Sequence, residues 1–275
     1  MKSTKNSIKS IQNQLNLILD QKTNGHPIIV AYGLMNAGKS FLLNMLTQHI
    51  EVEFFKTNDI RETSEIKKFE SDKYVYLDTP GLDANQADDT LAQSGANQAD
   101  VVLFVHQPQG ELEANEIEML NELKKTFGIY AESNIVLVIS KIEKEDPEKI
   151  NSIAKRIKEQ CVQEMGFSPK IFQVSNKRYQ IGVKKHSDGM IAQSHINSLI
   201  EYLDLAALNS EKVRAQRRLI KVEALLRAIE EEDAQLRKEK QKLMSLIEKS
   251  LSTFNKQVNL LNNFLEDRAS KYRNI

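Results

Sequence analysis

The 275-residue sequence contains one cysteine, Cys161. A disulfide framework is thereby excluded, a reducing cytosol is the expected compartment, and Cys161 reads as a buried structural thiol in a helical stretch. Long apolar runs are also missing: nothing approaches the ~18 consecutive residues a membrane span needs. The polar start MKSTKNSIKS lacks the apolar region of a secretory signal. Charge of one sign is absent, since Lys plus Arg and Asp plus Glu number 38 each. No overall field therefore draws the chain toward nucleic acid or anionic lipid. From Met190 to Ile275 there is neither glycine nor proline, so the usual helix breakers are gone from that stretch and a helical appendage is predicted.

What is present divides into three parts. Ile8, Ile11, Leu15 and Ile18 recur at helical spacing and predict a helix over about 6–20, within an N-terminal segment 1–24. KTNGHP at 22–27 breaks it. Then follow short apolar runs at 27–32, 74–78, 100–106, 134–140 and 170–175, alternating with helical stretches at about 39–48, 111–126, 147–164 and 192–208. Near-continuous apolar strands between helices predict a three-layer α/β domain over 25–208 with a mostly parallel sheet covered on both faces. The 40% hydrophobic content can supply its core. In the extension, 209–275, Leu219, Val222, Leu226, Ile229, Leu236, Leu243 and Ile247 follow a 3,4 spacing interrupted by Asp233 and Lys240. A second helix over 251–271, with Phe254, Val258, Leu261 and Leu265 on one face, makes the extension a hairpin or short coiled coil. The basic run KVRAQRRLIK at 212–221 reads as a solvated helix face, with an RNA or lipid patch as the alternative.

The chemistry is concentrated in four stretches. Gly33, Gly38, Lys39 and Ser40 in AYGLMNAGKSFLLNML fit G-x-x-x-x-G-K-[ST], between an apolar strand and an amphipathic helix. There, backbone N–H groups and a helix N-terminus cradle phosphates, Lys39 reaches the β and γ phosphates, and the Ser40 hydroxyl ligates Mg²⁺. Ala37 and Phe41 complete the loop's contacts. YVYLDTPGL places Asp78 and Gly81 in D-x-x-G at a strand end, where the carboxylate holds Mg²⁺ through water and the Gly81 N–H senses the γ phosphate. VLVISKIEKED supplies Ser140, Lys141 and Glu143: the carboxylate accepts guanine N1–H and N2–H₂, and the lysine stem covers the ring. FQVSNK places Ser175 and Asn176 where a backbone N–H meets guanine O6. A switch threonine for Mg²⁺ is expected between the loop helix and the Asp78 strand; Thr63 is chosen by spacing, with Thr57 and Ser64 as alternatives.

These stretches, in this order over about residues 27–206, resemble the translation-factor-related class of small GTPases, in particular its Era-like group. The resemblance implies a P-loop G domain, GTP as substrate with Mg²⁺, and GTP hydrolysis to GDP. Two positions depart from it. The family's base-reading motif is N/T-K-x-D, whereas here Ser140 and Glu143 stand at its ends. The glutamine that orients water after D-x-x-G in Ras-like switches is here Leu82. GLMNAGKS also resembles the loop of potassium-activated, dimerising Era-like enzymes, which implies that Asn36 holds K⁺ against the phosphates; alternatively Asn36 is a turn residue tolerating an unusual backbone angle. Lys39, Asn36, Thr63 and Gly81 are then the catalytic candidates. Helices before and after the domain resemble the neck of bacterial dynamin-like proteins. That implies a homodimer through the G domain and peripheral membrane attachment, with ribosome or RNA as the alternative client; the apolar stripe of 209–275 separately calls for a helical partner. A different class stays open: a nucleotide-binding scaffold with little hydrolysis, acting through its C-terminal helices.

Overall fold

The structure, a computed structural model, describes residues 10–13, 15–16, 25–57, 66–80 and 92–273. Two compact units divide the chain, one spanning Lys22–Ile220 and one combining Met1–Gln21 with Lys221–Ile275.

The first unit is built on six strands: β1 (Ile28–Tyr32), β2 (Lys67–Glu70), β3 (Val75–Asp78), β4 (Val101–His106), β5 (Ile135–Ile139) and β6 (Lys170–Gln173). They lie in the order β2-β3-β1-β4-β5-β6. All neighbours are parallel except β2, which runs antiparallel to β3. β4 and β5 are buried along their whole length because helices cover both faces, so neither face calls for a polar alternation. Side chains still alternate with period two. Val30, Val102, Phe104, Ile135 and Leu137 point into one core with Leu120, Leu123 and Phe127 of α2 (Ala114–Phe127) and Ile153 and Ile157 of α4 (Pro147–Met165). Ile29, Ala31, Leu103, Val136 and Val138 point into the other with Leu42, Leu43 and Met45 of α1 (Lys39–Leu46) and Leu199 and Leu203 of α7 (Ile196–Ala207). Short helices α3 (Ala131–Asn134), α5 (Asn176–Lys184) and α6 (Asp188–Ala192) complete the unit, and none of the three was expected from the sequence.

β1 is the point where the strand order reverses: the chain leaves it toward β3 on one side and returns to β4 on the other. A crevice opens beyond the carboxyl end of a strand at such a point, and residues 33–38 occupy it. Cys161 is buried in α4, and burial followed by the nearby Glu164 pushes its thiol up to about 12, in keeping with a structural thiol.

At the opposite, amino ends of the strands, Asp100 is fully buried. It accepts the Ile28 N–H at 2.9 Å and faces two guanidinium groups, Arg214 at 2.6 Å and Arg217 at 2.9 Å. Arg214 also donates to the carbonyls of Gly25 (3.3 Å) and His26 (3.0 Å). The basic run at 212–221 is therefore not simply a solvated face or a free patch, since two of its arginines turn inward onto one carboxylate.

α8 is a single helix, Ser210–Arg273, of 64 residues. The hairpin alternative gives way to it: no break occurs near residue 250, where no glycine or proline is available to make one. In the second unit its apolar stripe is exposed, with Leu226 at 53%, Leu243 at 60% and Phe254 at 61%. Asp233 is paired along the helix with Arg237 at 2.8 Å. Residues 10–13 and 15–16 are helical, and the remainder of the predicted N-terminal helix lies outside the described residues. No helix among the described residues is long and apolar enough to cross a membrane.

Candidate functional site

The loop after β1 turns on two glycines that no other residue could replace without strain. Gly33 has φ +138°, and a Cβ there would stand 2.4 Å from the Val105 carbonyl oxygen. Gly38, at φ +98°, is the N-cap of α1. No side chain caps α1 and no acidic residue occupies its first turn, so its orphan N–H groups and positive dipole end stay available to an anion. Asn36 adopts φ +60°, the left-handed conformation that asparagine tolerates, so the turn expectation for this residue holds.

Lys39 is 6% exposed and donates to the carbonyls of Gly33 (3.0 Å) and Leu34 (2.8 Å). Burial pulls its ammonium down to about 8, partly offset by Asp78. Asp78, at the end of β3 and 1% exposed, is pushed up to about 6 by burial against the opposing Ser40, Lys39 and Lys67. Its Oδ2 accepts the Ser40 hydroxyl at 2.7 Å, and its Oδ1 is buried with no hydrogen-bond partner among the described residues. A hydroxyl touching a carboxylate that has an orphaned oxygen fits Mg²⁺, which takes one or two protein oxygens and completes its shell with phosphates and water. Thr79 is tied back to the Ala31 carbonyl at 2.8 Å. Gly81, Leu82, Thr63 and Ser64 lie outside the described residues. Thr57, the other switch alternative, is half-buried and bonded to Glu53. Phe41 packs among the core side chains around α1.

The segments after β5 and β6 converge on the same loop. Ser140, fully buried, donates to the Ala37 carbonyl at 2.6 Å and lies 3.2 Å from the His106 carbonyl. Lys141, itself at φ +56°, reaches the Asn36 carbonyl at 2.6 Å. Glu143 accepts the Ser175 hydroxyl at 2.7 Å, and the same hydroxyl caps α5 by accepting from Arg178 N at 3.1 Å. Asn176, first residue of α5, is 3% exposed, and neither atom of its carboxamide has a partner among the described residues. The four stretches, spread over residues 33–176, thus lie together at the carboxyl ends of β1, β3, β5 and β6.

Two residues here escaped the sequence reading. His106 ends β4 and Glu116 lies in α2; both are buried and stand 2.8 Å apart. With Leu34 and Met35 they line a cavity of about 290 Å³ beside the phosphate loop. The signal for Glu116 was present, since Glu113-x-x-Glu116 forms the capping box of α2; His106 carried only its place as the polar end of an apolar strand.

Residues 28–141 match the family model described as a 50S ribosome-binding GTPase. An uncharacterized protein of Acinetobacter baylyi is 34% identical over 202 residues, 70% of this chain and 46% of that protein. GTPase Era of Ureaplasma parvum is 32% identical over 123 residues, 42% of this chain and 40% of that one. The chain spans less than half the length of these curated relatives. A solved structure of an oligomerised bacterial dynamin pair, described as a mechanism for long-range sensing and tethering of membranes, shares the fold. Its TM-score is 0.51 at 14% identity, over 97% of this chain and 53% of that chain. With the loop, the Asp78 strand end and the Ser140–Glu143 segment gathered on one crevice, residues 28–141 are similar to the P-loop GTPase domain shared with GTPase Era.

Proposed function

We propose that the chain binds GTP with Mg²⁺ and hydrolyses it to GDP, acting as a switch whose nucleotide-binding domain is 25–208, flanked by helical segments 1–24 and 209–275. The observation that carries this is the joining of phosphate loop to base segment: Ser140 on the Ala37 carbonyl and Lys141 on the Asn36 carbonyl. A ligand bridging the uncapped α1 N-terminus and the Glu143 carboxylate must have phosphates at one end and a donor-rich base at the other.

In this reading Lys39 leaves the loop carbonyls for the β and γ oxygens, where a phosphate offsets the cost of its burial. Ser40 and Asp78 would hold Mg²⁺, which would supply positive charge beside the phosphates. Glu143, held by Ser175, accepts guanine N1–H and N2–H₂, and the Asn176 backbone N–H meets O6. Thr63 and Gly81 close on the γ phosphate. Leu82 cannot orient water, so the stabilising charge is assigned to K⁺ held by Asn36, with a second copy docking through the G domain.

A phosphate-release assay tests this with GTP and with ATP, in K⁺ and in Na⁺, over a range of protein concentrations. GTP-selective turnover that needs K⁺ and rises faster than in proportion to protein supports the full reading. Tight GTP binding with no turnover under any condition replaces it with the scaffold reading, in which the helices of 209–275 bind a partner protein. A preference for ATP overturns the base assignment. Co-sedimentation with liposomes and with ribosomes, with and without a non-hydrolysable GTP analogue, decides between a membrane and a ribosome as client.

A further inference from the structure

The carboxamide of Asn176 is the feature that the proposed contacts leave unused. It is nearly completely buried, and both its Oδ1 and its Nδ2 lack partners among the described residues. Buried amides are almost always paired, because each orphaned group forfeits its hydrogen bonds to water. An orphan retained at the first residue of α5, beside the Ser175–Glu143 contact, is satisfied by something that enters the crevice.

Ser140 indicates what that is. Ser140 has a single hydroxyl hydrogen, and its 2.6 Å bond to Ala37 O commits it to the phosphate loop. No side-chain donor is left at 140 for a base. The register Ile139↔Gln173 sets Ser140 alongside Val174, and the Ile142 N–H reaches the Val174 carbonyl at 3.4 Å. The segments carrying Ser140 and Asn176 therefore leave the sheet side by side. A purine presents N7 as an acceptor on its exposed edge, next to O6 when the base is guanine, and a carboxamide NH₂ is a donor pair suited to it.

We propose that Asn176 is a specificity-determining residue of the nucleotide site, its side-chain Nδ2–H donating to purine N7 in place of the hydroxyl that Ser140 commits to the phosphate loop. This rests on the reading of the crevice as a guanine-nucleotide site. The carboxamide secures the purine edge, and Glu143 selects guanine from the other side.

The test is a pair of titrations of the full chain with GDP and with 7-deaza-GDP, which carries C–H in place of N7, in the presence of Mg²⁺. Wild-type protein binds 7-deaza-GDP about 3- to 10-fold more weakly than GDP, the worth of one hydrogen bond. Asn176→Ala loses a similar factor on GDP and no longer distinguishes the two ligands. Its nucleotide-free form unfolds at the same or a higher temperature than wild type, because the deleted amide had no partner to lose. Asn176→Asp, which keeps the shape and removes the donor, reproduces the loss of discrimination if the alanine variant folds poorly. Failure of wild type to bind GDP overturns both this proposal and the reading beneath it. Wild-type binding of GDP with an Asn176→Ala affinity unchanged, or with discrimination against 7-deaza-GDP intact, overturns the Asn176 assignment alone.

Discussion

Replacing Lys39 with methionine should stabilise the nucleotide-free protein while destroying its capacity to bind nucleotide. The fold holds this ammonium 6% exposed, with burial pulling it from 10.5 down to about 8. The sign follows from that direction. Below about pH 8 the group is charged in folded and unfolded chains alike, so the cost of burying the charge is carried in full. It fades as pH rises from about 8 to 10.5, where only the unfolded chain keeps its proton. The drop corresponds to roughly 3 kcal/mol, at about 1.4 kcal/mol for each tenfold change. Methionine keeps the stem and removes the charge, but Asp78 then loses the attraction that opposes its own rise to about 6, and two loop carbonyls lose a donor. A net gain of about 1–2 kcal/mol remains near neutral pH, or roughly 2–8 °C in melting temperature for a domain of this size. Urea and thermal unfolding of Lys39→Met and wild type without nucleotide, from about pH 7 to pH 10, measure it, with a GDP titration alongside. The advantage of the variant should shrink toward the alkaline end. A variant less stable than wild type at neutral pH, or an advantage flat across the range, would refute the reasoning that the site stores an unpaid charge for its ligand.

Gly33→Ala forces a Cβ to 2.4 Å from a backbone oxygen at φ +138°, and neither side can yield cheaply. A loss of at least ~2 kcal/mol in urea unfolding is expected, together with weakened GDP binding. Asp100→Asn removes the carboxylate shared by Arg214 and Arg217 and leaves the Arg217 charge buried without compensation. A destabilisation of about 3–5 kcal/mol should appear in the same assay, and a change under about 1 kcal/mol would contradict the role given to this cluster. Glu143→Gln retains an oxygen for Ser175 and loses the charged acceptor for guanine. The ratio of GDP to ADP affinity should drop by about tenfold or more, since a hydrogen bond to a charged group contributes about 1.5–3 kcal/mol; an unchanged ratio would remove Glu143 from base selection.

How far the sequence disclosed the fold depended on where each residue sits in the sheet. β1, β4 and β5 were legible because burial on both faces makes them continuous apolar runs, and those runs were noticed for that reason. β2 was not: in Lys-Lys-Phe-Glu only Phe69 packs toward the core, while Lys67, Lys68 and Glu70 are exposed. Such an edge strand is charged because an apolar edge would recruit other strands, and the same charge hides it from a search for apolar alternation. Asp100 and its arginines were illegible for another reason. Arg217 lies 117 residues from the carboxylate it meets, and a run with five basic residues in ten reads as solvated until a buried anion is known to face it. The single helix α8 was read as two, although the apolar spacing runs on unbroken through Ile247, Leu251 and Phe254 and no glycine or proline separates them.

The site was legible wherever its parts are contiguous, as in Gly33 to Ser40, and ambiguous where one substitution had to be weighed without its neighbours. Ser140 and Glu143 looked like two independent weakenings of a guanine-reading motif. In the fold each has a partner suited to its length. The short Ser140 side chain lies close enough to the loop to bond Ala37 at 2.6 Å, and the extra methylene of Glu143 carries its carboxylate to Ser175 at 2.7 Å. A serine without a buried carbonyl above it, or a glutamate without a hydroxyl to fix it, would pay in entropy for every contact it made with a ligand. Here both are oriented before any base arrives, and Ser175 is itself fixed by capping α5. The departures therefore do not argue against guanine one by one. In the proposed reading they shift the work of holding the base from the segment after β5 toward the one after β6, where the carboxamide of Asn176 has no partner among the described residues.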